Sequence, residues 1–192
     1  MLLISLWEAT EGHGALGSLR SLLYIGPMVR ITLGGTGPAR DREIEAVRHI
    51  LRESGLPDAG ILAVTDTLLV ARVGDEIVGS AALEPYPPAA LLRSVAVQEA
   101  WRGVGVGGQL TEAALSLAAD LGCERVYLLT ETASQFFSAF GFRRIEREEV
   151  DAPVRRSQEF TSLCPDSADV LVLDMNAWKG KGGKQNRAPE TD

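Results

Sequence analysis

Apolar residues recur at helical spacing in two long segments of the chain. The first segment begins at Pro38, and one face of the predicted helix collects four apolar residues, Ile44, Val47, Ile50 and Leu51. The second segment runs from Leu110 to Leu121 and repeats leucine and alanine at the same spacing, and Gly122 supplies a C-terminal stop. The pattern therefore predicts two helices that each pack one face on a core.

Short apolar runs before, between and after these helices predict strands. Two of them, in TLLVARVGDEIVGSAAL, lie on either side of Gly74, Asp75 and Glu76, a pattern typical of a hairpin. LLRSVAV and RVYLLT indicate buried strands before and after the second helix. MVRITLGG predicts the first strand of the folded region, and DVLVLDM predicts the last.

The order of these elements predicts the fold class. SQFFSAFGF and VDAPVRRSQEF each predict a short helix between the last two strands. We therefore expect a mixed α/β sheet with antiparallel N-terminal strands and flanking helices. The connection from LLRSVAV through the second helix to RVYLLT requires a parallel, right-handed crossover.

Changes in composition divide the chain into three segments. Residues 1–27 have weak periodicity and Met28 opens the first predicted strand, so translation starts either at Met1, with an N-terminal extension, or at Met28. Residues 28–175 form the predicted folded domain. Residues 176–192 are rich in Gly and Lys with Trp178 as the only large apolar residue, and we expect this tail to be disordered.

Charge and cysteine content narrow the classes of partner. The formal net charge of −7 argues against binding to nucleic acid or to an anionic membrane, and no apolar run approaches the roughly 18 residues that span a bilayer. Cys123 and Cys164 are too few and too isolated for a disulfide framework or a thiolate metal site. We expect a cytoplasmic protein with a small-molecule partner and no metal.

A run of four glycines lies between the predicted strand LLRSVAV and the second helix. Gly103, Gly105 and Gly108 satisfy G-x-G-x-x-G, and Glu131 follows near the distance at which a dinucleotide-binding unit places its ribose acid. That turn normally follows its strand directly, whereas residues 98–102 intervene here, and a hairpin precedes the unit. An NAD(P)-binding turn therefore remains one interpretation, and a turn that only packs helix on sheet remains another.

A third interpretation starts from Arg102. The spacing Arg102-x-x-Gly105-x-Gly107 puts a cation beside a helix N-terminus, where unpaired N–H groups and the helix dipole favour a pyrophosphate. This arrangement, with LLRSVAV before it and RVYLLT and FFSAFGF after it, resembles the acetyl-CoA-binding motif of the GNAT acetyltransferase superfamily. The resemblance covers about residues 28–175.

The resemblance implies the GNAT fold, in which a splayed pair of parallel strands binds acetyl-CoA. The main chain of the strand end would bond the pantetheine arm, which implies a role for Val95, Ala96 and Val97. The turn and the helix N-terminus would hold the pyrophosphate, which implies a role for Arg102, Gly103, Val104, Gly105, Val106, Gly107 and Gly108. Homodimers are common in this superfamily, although no residue pattern here demonstrates one.

Four strings are similar to a narrower group within the superfamily. LEPY, LLRSVAV, YLLTETASQFFSAFGF and FTSLCPDSADVLVLDM together resemble the arsenic-resistance N-acetyltransferases. The series within YLLTETASQFFSAFGF is also similar to the acetyltransferase domain of N-acetylglutamate synthases. Both resemblances imply direct transfer of acetyl to a primary amine of a small amino-acid-like substrate, and the first implies a link to arsenic resistance.

Acetyl transfer needs a neutral amine, so a base is expected. An amine with a pKa of roughly 8 to 10 costs about 1.4 to 4 kcal/mol to deprotonate at pH 7. Glu84, at the end of the second hairpin strand, is the first candidate base, and an exposed strand-end carboxylate is the alternative interpretation. Glu131 is the reserve candidate. His13 lies in the N-terminal extension and His49 on the first helix, where neither is well placed.

Arg93 and Phe137 raise two further questions about the site. Arg93 lies among apolar residues in a strand and needs an anionic partner, either a substrate carboxylate or Glu84 or Glu131. Phe137 stands where many members of the superfamily have a tyrosine that protonates the leaving thiolate. Tyr86 or Tyr127 could donate instead, or the protein could be an acetyl-CoA sensor without catalysis.

Cys164 is the residue that the arsenic resemblance singles out. Soft thiolates bind soft centres, so this cysteine could contact a trivalent arsenical. The alternative is a small buried residue before Pro165, a common role for a free cysteine.

Overall fold

A computed structural model describes residues 29–34 and 38–178 of the chain. In this part a seven-stranded sheet has the order β1-β2-β3-β4-β5-β7-β6. The strands are β1 (Arg30–Leu33), β2 (Leu68–Val73), β3 (Glu76–Tyr86), β4 (Ala89–Val97), β5 (Arg125–Thr130), β6 (Arg143–Ile145) and β7 (Asp169–Asp174). Strands β4 and β5 are parallel, and every other neighbouring pair is antiparallel. The mixed α/β sheet predicted from the sequence is therefore confirmed.

In the described part of the chain three α-helices flank the sheet, α1 (Pro38–Glu53), α2 (Val106–Asp120) and α3 (Ser134–Ser138). Short 3-10 helices lie at Ile61–Thr67, Glu99–Trp101, Arg147–Glu149 and Val154–Arg156, and a π-helix lies at Glu159–Leu163. The two long helices and the hairpin at Gly74 match the sequence predictions.

Three parts of the connecting structure differ from the predictions. The segment VDAPVRRSQEF forms a 3-10 turn and then a π-helix rather than one α-helix, because Ser157 between them is extended (φ −61°, ψ 157°). The 3-10 helix at Ile61–Thr67 was not predicted, since its few apolar residues have no clear period. Strand β6 was also missed, because it has three residues and two of them are exposed arginines.

Hydrophobic residues on the two faces of the sheet form separate clusters. One cluster joins α2 and α3 to the sheet around Leu110, Leu115 and Phe137. A second joins α1 and the 3-10 helix that follows it, around Val47, Leu51 and Ile61, and a third lies around Leu91, Tyr127 and Val170. The sheet is therefore covered on both faces, as α/β architecture requires.

The chain ends fall partly outside the described residues. The predicted extension, 1–27, lies wholly outside them, as do residues 179–192 of the predicted tail. Within the tail, Trp178 donates its backbone N–H to Met175 and packs against the main core cluster, so order continues beyond the predicted boundary at 175. None of the helices between residues 38 and 178 is long and apolar enough to cross a bilayer.

Candidate active site

A β-bulge in β4 bends the strand at the centre of the sheet. Ser80 pairs with Ala96 and Ala82 pairs with Arg93, so two residues of β4 oppose one of β3 between these pairs. Ser94 lies in the bulge with a positive φ of 55°, and its carbonyl accepts a hydrogen bond of 2.9 Å from the Ser80 hydroxyl. The bulge was not predicted from the sequence, because a positive φ is expected at glycine and is uncommon at serine.

Strands β4 and β5 are paired only at their N-terminal ends. The register joins Ala89 to Arg125 and continues to Leu91 and Tyr127, where the pairing stops. Beyond that point β4 continues to Val97 and β5 to Thr130 without pairing to each other. The predicted parallel pair is therefore splayed toward its C-terminal ends, and the opening begins just before the bulge.

The splay opens a cleft of about 580 Å³ between the two strands. One wall is β4 from residue 91 to 97, and the other is the end of β5 with the loop that leads to α3, residues 128–133. The rest of the lining comes from the turn after α1, from Arg102, from Phe137 of α3, and from Glu159 with the segment after the π-helix, including Cys164 and Pro165. The cleft therefore lies at the carboxyl ends of the splayed strands.

The glycine run forms the turn at the N-terminus of α2. Gly103 and Gly105 have positive φ angles of 76° and 90°, and Gly105 is the N-cap residue with no side-chain cap. An added Cβ at either position meets no other atom within 4 Å, so the turn is open on its outer side. The first N–H groups of α2 therefore have no intrahelical or side-chain partner and can bind an anion.

Arg102 links this turn to two other elements. Its Nε donates to the carbonyl of Val97 at 2.9 Å, and its Nη2 donates to Ser54 Oγ, at the end of α1, at 3.0 Å. The side chain is exposed and lines the cleft. The guanidinium thus keeps a positive charge at the mouth of the cleft beside the glycine turn.

Arg93 is the buried cation of the site, with a side chain that is 3% exposed. Its Nη1 contacts Glu84 Oε2 at 3.3 Å, and its Nη2 contacts Glu159 Oε1 at 2.7 Å and the carbonyl of Ala59 at 2.8 Å. Its Nε has no hydrogen-bond partner among the described residues. Both ends of the guanidinium fork are thus occupied by groups of this chain.

Glu84 contacts Arg93 but is not among the residues that line the cleft. Tyr86 donates a short hydrogen bond to Glu84 Oε1, and neither residue lines the cleft. Burial is the main cause that raises the pKa of Tyr86, and Glu84 adds to the shift. Tyr127, the other predicted proton donor, is buried and lines no part of the cleft, and burial also raises its pKa.

Glu159 is the buried carboxylate that sequence reasoning missed. It lies in the π-helix, its side chain is 10% exposed, and it lines the cleft beside Arg93. The Cys164 thiol donates to Glu159 Oε2 at 2.9 Å. Burial and this carboxylate together raise the pKa of Cys164 to about 12. The sequence gives no local signal for Glu159, because its partner Arg93 belongs to a distant strand.

The remaining predicted residues occupy the opposite wall of the cleft. Glu131 lines the cleft but is exposed, and no ion pair joins it to Arg93. Phe137 lines the cleft at 6% exposure and packs against Phe136 and Phe142 at ring distances of 4.9 and 5.8 Å. The structure therefore brings Glu84 to Arg93 and leaves Glu131 apart from both.

Residues 65–144 match the family model of the acetyltransferase (GNAT) domain. Over 83 residues the chain is 36% identical to an amino-acid acetyltransferase of Mycobacterium tuberculosis. That match covers 43% of this chain and 44% of the relative, so it spans less than half the length of either protein.

Solved structures share the fold over a larger part of the chain. A Mycobacterium tuberculosis protein in complex with CoA has a TM-score of 0.63 at 24% identity, covering 76% of this chain and 98% of the other. The N-acetylglutamate synthase of Neisseria gonorrhoeae, complexed with coenzyme A and N-acetyl-glutamate, has a TM-score of 0.64 at 18% identity, covering 77% of this chain and 35% of the other.

The family match and the splayed parallel strands indicate the same class of fold. Over residues 65–144 the chain is similar to the GNAT acetyltransferase domain. It is similar in sequence to an amino-acid acetyltransferase and in fold to an N-acetylglutamate synthase.

Proposed function

We propose that the protein is an acetyl-CoA-dependent N-acetyltransferase that transfers acetyl directly to a primary amine of a small amino-acid-like substrate. The observation that carries the proposal is the cleft between β4 and β5, which is lined by Arg102, next to the open glycine turn, and by the ion pair of Arg93 and Glu159. One end of the cleft suits a pyrophosphate, and the other suits a small polar acceptor.

The residues at the first end fit acetyl-CoA, which supplies an activated acetyl group as a thioester. Beyond Leu91 strand β4 does not pair with β5, so main-chain groups of Val95, Ala96 and Val97 on that side can bond the amides of the pantetheine arm as a strand would. The pyrophosphate would lie on residues 103–108, where two glycines with positive φ open the helix N-terminus, and Arg102 adds a positive charge. Val95, Ala96, Val97 and Arg102 line the cleft, and residues 103–108 follow Arg102 directly in the chain.

The residues at the second end favour an acceptor with an amine. Glu84 and Glu159 flank Arg93, so the cluster carries one negative charge in excess when both carboxylates are ionised. Such a cluster attracts an ammonium group. The similarity to an amino-acid acetyltransferase and to a synthase complexed with N-acetyl-glutamate supports an amino-acid-like acceptor. Three of the five N–H groups of Arg93 have partners, which leaves its Nε–H and one Nη1–H without a partner among the described residues.

A role in arsenic resistance rests on the similarity of the four strings quoted above. Cys164 adds little to it, because a thiol with a pKa of about 12 stays protonated at neutral pH and is a poor ligand for a soft metalloid. If the role holds, the arsenical is recognised as an amine acceptor rather than through this cysteine.

The first experiment measures thiol release from acetyl-CoA. The protein from Met28 onward is incubated with acetyl-CoA and a panel of amino acids beginning with glutamate, amino-acid analogues and arsenical amines. Release that depends on one class of amine establishes the transferase and identifies the acceptor. A preference for an arsenical amine over its arsenic-free analogue supports the role in arsenic resistance.

Two other outcomes would replace the proposal. Acetyl-CoA binding without release from any amine would favour a sensor, in agreement with the missing tyrosine at Phe137. Binding of NAD(P) at the glycine turn in place of acetyl-CoA would favour a dinucleotide site. Calorimetric titration with both cofactors separates these two outcomes.

A further inference from the structure

Two carboxylates contact Arg93, and they differ in what they face. Glu84 has one oxygen on Arg93 and the other on the Tyr86 hydroxyl, and it lies outside the cleft lining. Glu159 has one oxygen on Arg93 and the other on the Cys164 thiol, and it forms part of the cleft surface together with Cys164. Of these two carboxylates, Glu159 is therefore the one that a molecule in the cleft can touch.

The partners of Glu159 leave it able to accept further hydrogen bonds. An ionised carboxylate has about four lone-pair positions, and Arg93 and Cys164 occupy one each. The two contacts fix the orientation of the group, because they hold separate oxygens from separate elements. A carboxylate held in this way can receive an ammonium group or a bridging water without moving.

The charges around Glu159 are not balanced by Arg93 alone. One guanidinium contacts the carboxylates of Glu84 and Glu159, both within 3.3 Å of its nitrogens, and the Arg147 guanidinium acts electrostatically on Cys164 without an ion pair to either carboxylate. A buried excess of negative charge is costly unless a cation or a proton compensates it. An acceptor amine can provide either, as ammonium when it binds and as a proton when it reacts.

We propose that Glu159 is the catalytic carboxylate that binds the acceptor ammonium and takes its proton, directly or through one water. This assignment rests on the proposed transferase function. The neutral amine then forms the C–N bond to the acetyl carbon as the C–S bond breaks, and the second nitrogen proton goes to the departing thiolate. The first proton passes from Glu159 to solvent, so each turnover releases one proton.

The proposal gives Glu84 and Cys164 positioning roles. Glu84, which accepts a hydrogen bond from Tyr86, holds Nη1 of Arg93, and the Cys164 thiol holds the oxygen of Glu159 that Arg93 does not reach. Glu131, the reserve candidate from the sequence, lies exposed on the opposite wall, where water screens its charge. Glu159 is therefore better placed than either predicted base to act on an amine in the cleft.

The test is the Glu159→Gln variant, which keeps the shape of the side chain and removes the base. With the panel amine that the wild type acetylates fastest, kcat/KM at pH 7 should fall about 10² to 10⁴-fold, while acetyl-CoA affinity stays unchanged. The rate of the variant should then rise about tenfold per pH unit toward the pKa of the amine, because solvent now supplies the neutral form. The wild type should show a shallower rise.

Two matched variants separate this role from a structural one. Glu148→Gln changes an exposed carboxylate in the same connection between β6 and β7, outside the cleft lining, and should leave the rate unchanged. Glu84→Gln weakens the support of Arg93 and should lower the rate by less than Glu159→Gln, with the pH profile of the wild type. A larger loss in Glu84→Gln, with the steeper profile, would overturn the assignment in favour of Glu84.

Further outcomes are also decisive. If the wild type is active and kcat/KM of Glu159→Gln is within threefold of the wild-type value, the role of Glu159 is overturned and the transferase function stands. A pH profile of Glu159→Gln parallel to that of the wild type has the same meaning. No amine-dependent release from the wild type overturns both. If Glu159→Gln does not fold, Glu159→Asp is the second variant, because it keeps the negative charge near Arg93. Its side chain is one methylene shorter, which should still lower kcat/KM at least tenfold. A wild-type rate in Glu159→Asp would then overturn the assignment.

Discussion

The two ends of the cleft are built from different chemical groups. At the cofactor end, the main chain of β4, the glycine turn and the start of α2 supply the polar atoms, and most of the turn is exposed. At the acceptor end, side chains from β3, β4 and the π-helix meet around Arg93, which is buried. The first end depends on backbone conformation, whereas the second depends on charges that hold one another in place.

This difference has a consequence for mutation. A change at the cofactor end should affect binding much more than folding, because the turn packs against little. A change at the acceptor end should affect folding as well as chemistry, because each buried charge compensates another. The following three predictions test that contrast.

The largest effect is expected for Arg93→Leu. Removal of the guanidinium leaves Glu84 and Glu159 without their cation, which should lower the free energy of unfolding by about 3–5 kcal/mol. Arg40→Leu is the matched control, since Arg40 pairs with Asp66 at the surface and should cost no more than about 1 kcal/mol. Urea denaturation measures the free energy of unfolding of both variants. Equal losses would contradict the expectation that changes at the acceptor end affect folding strongly.

The next largest effect is expected in the rate at which Cys164 is alkylated, which should be slow. At pH 8 a thiol with a pKa of about 12 contains very little thiolate, so iodoacetamide should label it about a hundred to a thousandfold more slowly than a free cysteine. Because the native pKa is raised, the thiol contributes stability below its ordinary pKa near 9, and this contribution is lost as pH rises toward 12. Mass spectrometry follows the labelling, and rapid modification of Cys164 in the folded protein would refute its contact with Glu159.

Gly105→Val should have the smallest effect on stability and a clear effect on binding. Valine at a φ of 90° should cost about 1–2 kcal/mol of local strain and move the turn, so acetyl-CoA affinity should fall at least tenfold. Gly122→Val is the control at the opposite end of α2, where φ is 71° and the space around an added Cβ is also open. The two variants should unfold at similar urea concentrations, and equal acetyl-CoA affinities would exclude the turn as the pyrophosphate site.

The same contrast explains which parts of the site could be predicted from the sequence. The spacing of Arg102, Gly105 and Gly107 lies within one turn, so a local pattern predicts where an anion would bind. The need of Arg93 for a carboxylate also follows from its apolar neighbours, and Glu84 was one of the partners considered. Glu159 was not predicted, because nothing in the local sequence SQEF indicates that this side chain contacts Arg93 of β4.

The fold was predictable to a similar degree. Strands and helices with strong periods were found, and so was the parallel pair. The bulge at Ser94 was missed, and it depends on the Ser80 hydroxyl of the neighbouring strand rather than on a local preference. Irregular backbone held by tertiary hydrogen bonds leaves no periodic signal.

The splay between β4 and β5 also changes how many edges the sheet has. A continuous sheet has two edges, at β1 and β6 here, but the opening beyond Leu91 and Tyr127 adds two more in its interior. Exposed edges invite pairing with foreign strands, and proteins commonly protect them with charges or bulges. Here a bulge lies in β4, one of the two strands that border the opening. A ligand that fills this gap should therefore protect the protein against aggregation as well as raise its melting temperature.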